Sequence, residues 1–192
     1  MMRLLLIITV CAAVGGLLSS RPLAAREPLD KQKILIVYFS KTNNTKTLAE
    51  HVHSIAGGDL LELKTVQPYP EDHNANVRVA VEENRNKARP ELATVFPENM
   101  NDYDVIFVCY PVWEYTMPMA FFTFFDRYKF PGKTIIVFST HLGSRLGGGP
   151  SDIAKLCPQA NIVKGLAIRG PEVANSRPEV RRRLGALGWS KN

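Results

Sequence analysis

The sequence predicts an α/β domain, doubly wound, with a five-stranded parallel sheet of order 2-1-3-4-5 and helices on both faces. Three observations predict it. Short continuous apolar runs rich in β-branched and aromatic residues recur along the chain, as strands buried on both faces require. Segments with apolar residues at helical spacing alternate with them, and each strand–helix–strand unit must cross over right-handed and pack back on the sheet. The length of 192 residues, 45% hydrophobic and 22% charged, suits one globular domain and excludes a disordered, collagen-like or polytopic membrane chain.

The run Ile34 to Phe39 is the first buried strand. Leu48, Val52 and Ile55 follow at i, i+4 and i+7 on one face of a helix that ends before Gly57-Gly58. Leu60 to Val66 reads as a shorter second strand, and Asn74 to Arg89 as a polar surface helix with Val77, Ala80, Val81 and Ala88 as its apolar residues. Asp104 to Tyr110 is the third strand; Phe121, Phe122, Phe125 and Tyr128 then fall at helical spacing. Thr134 to Ser139 is the fourth strand, Ser151 to Leu156 a short helix, and Ile162 to Ile168 the fifth strand. Val180, Leu184 and Leu187 mark a closing helix.

Residues 1–25 read differently from the domain. Arg3 gives a positive start, Leu4 to Leu18 an apolar stretch, and Ala24-Ala25 a small-residue cleavage site, the order found in a secretory signal peptide. The apolar stretch is short for a membrane span, which needs roughly 20 residues. An exported protein (periplasmic or extracellular) is therefore expected; membrane attachment is the alternative should the N-terminal segment stay uncleaved. Residues 26–32 form a linker, and residues 33–192 the domain. The net charge of +6 is concentrated outside its body. Residues 26–176 carry equal numbers of basic and acidic side chains, whereas Arg177, Arg181, Arg182, Arg183 and Lys191 outweigh Glu179 in the tail. That distribution lacks the basic face of a nucleic-acid reader, so no nucleic-acid partner is expected. Cys109 and Cys157, the cysteines after residue 25, are expected as free thiols, and no spacing suggests a metal site.

In a sheet of this order, ligands bind at the carboxyl ends of the strands beside the switch in winding direction. The loops after strands one, three and four therefore matter. After strand one, Ser40-Lys41-Thr42-Asn43-Asn44-Thr45-Lys46-Thr47 crowds hydroxyls and carboxamides at a helix N-terminus, where free N–H groups and the positive dipole end favour a phosphate. Helix capping is the plainer use of such residues, but a cap needs only one of them. Neither the P-loop nor the G-x-G-x-x-G pattern is present. After strand three, Pro111-Val112-Trp113-Glu114-Tyr115 offers flat aromatic surface between Pro111 and Pro118, suited either to stacking on a planar heterocycle or to closing the core. After strand four, Thr140-His141-Leu142-Gly143-Ser144-Arg145 leads into Gly147-Gly148-Gly149, and glycines there would let backbone N–H groups approach a ligand. His141 could titrate near neutrality, though a hydrogen-bonded histidine at a strand end is the commoner role. Ser144 lacks the nucleophile elbow of a hydrolase.

With these loops in place, the chain resembles the flavodoxin family from Lys33 to about Leu187, in a branch with a variant second connection around Gln67-Pro68-Tyr69-Pro70. The resemblance implies FMN, with its phosphate held by Ser40, Thr42, Asn43, Asn44 and Thr45. It also implies a ring flanked by Pro111, Val112, Trp113, Glu114 and Tyr115 on one side and Thr140, His141, Gly143 and Ser144 on the other. Two positions depart from the family: Glu114 stands where a second aromatic often follows the tryptophan, and Leu142 where glycine often follows the histidine. The expected function is an oxidoreductase passing electrons from a reduced donor to a small acceptor such as a quinone. An electron carrier for a protein partner is one alternative, disfavoured because such carriers are usually acidic. A non-redox module binding a phosphoester is another. A phosphorylation-receiver domain of the same strand order is excluded by Ser40 and Tyr110 at its acidic positions.

Overall fold

The computed structural model describes residues 31–189. The expected signal peptide, and Cys11 within it, lie outside the described residues. The chain runs β1 (Ile34–Tyr38), α1 (Asn44–Ala56), β2 (Asp59–Glu62), α2 (His73–Asn86), β3 (Val105–Pro111), α3 (Met119–Arg127), β4 (Thr134–His141), α4 (Gly149–Leu156), β5 (Asn161–Arg169) and α5 (Arg177–Ala186). Short 3-10 turns at Met100–Asp102 and Gly170–Asn175 complete it. All strand pairs are parallel and the order is β2-β1-β3-β4-β5, as expected. No helix among the described residues is long and apolar enough to cross a membrane.

Strand alternation divides the core in two. Leu35 and Val37 of β1, Ile106 and Val108 of β3, and Ile135 and Val137 of β4 face Phe121, Phe124 and Phe125 of α3 and Ile153 of α4. Ile34, Ile36, Val105, Phe107, Ile136 and Phe138 face Leu48, Val52 and Ile55 of α1, Val180 and Leu184 of α5, and Trp189. Strands β1 and β3 are apolar at every position, and β4 from Ile135 to Phe138, because both faces are covered.

The differences from expectation have local causes. The second strand stops at Glu62 rather than Val66, because the chain then turns to pair with its own return segment. Val66 N–H donates to the Glu91 carbonyl at 2.9 Å and Ala93 N–H to the Lys64 carbonyl at 2.8 Å. In α3 the buried aromatic residues are Phe121, Phe124 and Phe125, while Tyr128 lies just past the helix end. The fourth strand extends through Thr140 and His141, which are strand residues rather than loop residues. Cys109 and Cys157 are free and buried.

The basic tail also makes a specific contact with the sheet. Arg183 of α5 donates Nε to the Gly165 carbonyl at 2.9 Å and Nη2 to the Lys164 carbonyl at 2.6 Å. Its guanidinium thereby covers acceptors on β5, the strand at one edge of the sheet.

Candidate functional site

The carboxyl ends of β1, β3 and β4 open into a cleft of about 480 Å³. Its floor is built by the first crossover. Helix α1 starts at Asn44, and the residue before it, Asn43, takes a left-handed conformation (φ 64°) with no side chain capping the helix. The alcohols and carboxamides of this loop therefore do not cap α1, and its first N–H groups keep the positive end of the dipole open. Thr42, Asn44 and Thr45 line the cleft. Ser40 opens the same loop, its Oγ buried with no hydrogen-bond partner among the described residues. Thr45 is committed elsewhere: its hydroxyl lies 2.8 Å from that of Thr140 and ties α1 to the end of β4.

The wall after β3 is a two-residue hairpin. Trp113 and Thr116 exchange two backbone hydrogen bonds of 2.9 Å, and Glu114 and Tyr115 between them both have positive φ (44° and 63°), the signature of a type I′ turn. That turn sends Tyr115 out to solvent, 78% exposed, and leaves Glu114 on the cleft edge. Trp113 lies among Phe39 and Tyr69 in edge-to-face contacts, with ring centroids 5.3 and 5.0 Å away. Tyr69 in turn donates its hydroxyl to Glu83 at 2.7 Å. Burial raises the pKa of Glu83, and the Tyr69 hydrogen bond works against that rise. The Glu114 carbonyl accepts from Asn84 Nδ2 at 3.3 Å, so α2 clamps the hairpin.

The wall after β4 is held from below. Ser139 Oγ donates to the Arg145 carbonyl at 2.7 Å and the Tyr110 hydroxyl to the Leu146 carbonyl at 2.5 Å. The glycines serve this packing. Gly147 has φ 54°, and a Cβ on it would strike the Tyr115 carbonyl; one on Gly149 would strike the Tyr110 ring. Gly148 N–H donates to the Tyr115 carbonyl at 2.6 Å, stitching the two walls together. His141 lines the cleft, and burial holds its imidazole below the usual pKa; Arg145 and Arg169 push the same way and the Ala167 backbone opposes them.

Of the residues singled out in the sequence, Thr42, Asn44, Thr45, Pro111, Val112, Trp113, Glu114, Thr140, His141 and Ser144 meet around this one cleft. Ser40, Asn43, Tyr115 and Gly143 do not form its walls, and Gly143 faces open space. The sequence reading missed Lys41, whose side chain is only 18% exposed and whose Nζ lies 2.7 Å from Glu71. It also missed Gly170, where a Cβ would stand 3.0 Å from Asn44 Nδ2, and the wall contributed by α2 through His73, Asn76, Val77 and Ala80. Their spacing of three and four residues was visible, but only the buried polar Asn76 within that stripe marks it as more than a packing face.

A group with a phosphoester and a planar ring fits these residues: an uncapped helix start and an unpartnered buried hydroxyl at one end, a braced tryptophan at the other. A family model described as flavodoxin matches residues 33–181. Among solved structures, a protein from Bacteroides eggerthii DSM 20697 assigned as a flavoprotein is 32% identical, with a TM-score of 0.70 over 82% of this chain and 98% of that one. A similarly assigned protein from Bacteroides uniformis ATCC 8492 is 27% identical, TM-score 0.68, over 80% and 98% of the two chains. A flavoprotein from Lactobacillus acidophilus NCFM in complex with FMN shares the fold at 24% identity, TM-score 0.62, over 75% and 97%. No curated protein matches the chain.

Proposed function

The chain belongs to the flavodoxin family, and from that premise we propose that it binds FMN in this cleft and passes electrons from a reduced donor to a small acceptor such as a quinone. The observation that carries the FMN reading is the start of α1: no side chain caps it, and Ser40 Oγ is buried without a partner beside it. A phosphate monoester supplies acceptors for both, with the dipole and Lys41 favouring its charge. The relative from Lactobacillus acidophilus bound to FMN supports the same cofactor. Bound FMN supplies the electron-transfer chemistry. The protein's part is to fix it: Thr42 and Asn44 hold the phosphate end, and Trp113, braced by Phe39 and Tyr69, gives the ring a flat wall. Glu114 places a carboxylate at the cleft edge and disfavours negative charge on the ring.

A small acceptor is favoured over a protein partner because the body carries equal numbers of basic and acidic side chains, without the acidic excess usual in such carriers. Export is the proposed setting, supported by the charge, apolar and small-residue order of residues 1–25. An absorption spectrum of the protein purified from residue 26 onward tests the cofactor. A flavin spectrum, or quenching of FMN fluorescence on titration, is expected; a colourless protein that leaves FMN fluorescence unchanged overturns it. Steady-state turnover with NADH or NADPH and a quinone tests the activity. Retained FMN without turnover would make the protein a carrier.

A further inference from the structure

His73, Asn76, Val77 and Ala80 occupy positions i, i+3, i+4 and i+7 of α2, one stripe facing the cleft. An inward stripe is ordinarily apolar, and Asn76 breaks that rule. It is 8% exposed, and its Oδ1 is buried with no hydrogen-bond partner among the described residues. A buried amide oxygen without a donor is costly, which calls for a ligand that supplies one. The α2 stripe belongs to none of the three loops proposed to hold FMN, and it carries no fixed charge. The charged side chains of the lining are Lys41, Glu71 and Glu114, of which Lys41 and Glu71 pair with each other. Val77 of the stripe and Leu142 of the loop after β4 leave apolar surface at the mouth, 38% and 77% exposed. A neutral planar molecule with polar edge atoms suits this wall.

We infer that Asn76 positions the small acceptor and that the acceptor's class is a neutral para-quinone, held through a ring oxygen; this rests on the oxidoreductase reading above. A carboxamide carries a donor and an acceptor on one planar group. Turned one way, Asn76 donates Nδ2–H to the carbonyl of the quinone; turned the other, its Oδ1 accepts the O–H of the hydroquinone. One side chain thereby holds both ends of a conversion in which a carbonyl oxygen becomes a hydroxyl. The quinone gains two electrons and two protons, a hydride's worth from a nicotinamide donor and the remaining proton from water. A lysine would serve only the carbonyl and a carboxylate only the hydroxyl.

The test compares the FMN-loaded protein with its Asn76→Leu variant, which removes the amide at similar volume. By ligand-observed NMR, wild-type protein is titrated with hydroquinone and with 1,4-dimethoxybenzene, which keeps the ring and lacks the O–H donor. Hydroquinone is expected to bind about tenfold more tightly, the scale of one hydrogen bond to a buried group, and the preference to vanish in Asn76→Leu. With NADPH as donor, the variant's KM for 1,4-benzoquinone rises about tenfold while kcat changes by less than about twofold. Equal binding of the two probes by wild-type protein overturns the inference, whether or not the variant folds. So does weaker FMN binding by Asn76→Leu with the probe preference intact, since the amide would then serve the cofactor. A wild-type protein that takes up no FMN defeats the oxidoreductase reading, and the probe titration still decides what Asn76 contacts.

Discussion

Ser40 and Thr45, five residues apart, occupy opposite situations. Thr45 spends its hydroxyl on Thr140, whereas Ser40 Oγ is buried without a partner among the described residues. Loss of the Ser40 or Thr42 hydroxyl should therefore act on the cofactor and loss of the Thr45 hydroxyl on the fold as well. Ser40→Ala and Thr42→Val are each expected to weaken FMN binding by about tenfold or more, the scale of a hydrogen bond to a charged group, with melting temperature nearly unchanged. Fluorescence titration beside a thermal melt separates the two effects. The sequence made the phosphate preference of this loop legible, because its residue types crowd a helix start. It could not show which hydroxyl is already taken, because the partner lies 95 residues away. Asn76 was illegible for a related reason, since its burial depends on where α2 docks. Glu83 makes a second prediction at this scale. Burial raises its folded pKa, so its contribution to stability is fully present below the unfolded value and is lost as pH rises through the folded one. Glu83→Gln keeps an acceptor for the Tyr69 hydroxyl and removes the titration. Melts across the weakly acid range should show wild-type stability declining with rising pH at this site and the variant without that decline.

Among the elements, the hairpin after β3 is the least expected from its residues. Type I′ turns favour Asn-Gly because both central residues need positive φ, yet Glu114 and Tyr115 occupy those places. Holding two ordinary side chains left-handed costs about 1–2 kcal/mol per residue. Replacing Glu114-Tyr115 by Asn-Gly is expected to stabilise the protein by about 1–2 kcal/mol and raise its Tm by about 4 °C. The same change should alter the flavin environment, since Glu114 lines the cleft; a melt and a reduction-potential measurement read the two effects separately. Strands β1, β3 and β4 were plain in the sequence because each carries an unbroken apolar run, as a strand covered twice requires. The end of β2 was not, because Lys64 to Val66 pairs with a segment near Glu91 instead of continuing along β1. The glycines after β4 were misleading in one respect. They read as an approach to a ligand, whereas Gly147 and Gly149 make room for Tyr115 and Tyr110.

At the scale of the molecule, alternating strands, right-handed crossovers and two apolar layers were recoverable from periodicity, whereas the strand order observed is the one that the resemblance to the flavodoxin family implies. The guarding of the sheet edge was not recoverable, because nothing in the run Arg181-Arg182-Arg183 sets Arg183 apart from its neighbours. Removing its guanidinium in Arg183→Ala uncovers the Gly165 and Lys164 carbonyls on β5. The variant is expected to self-associate with rising concentration while the wild type stays dispersed, as light scattering would record. The same end of the chain completes the opposite layer. Helix α1 packs with Val173, Val180, Leu184 and Trp189, and its His51 Nε2 lies 3.2 Å from the Val173 carbonyl. Nearly the whole polypeptide must therefore leave the ribosome before this layer can close. A nascent chain still lacking its last two dozen residues leaves the side of this layer that Val180, Leu184 and Trp189 cover exposed and available to chaperones.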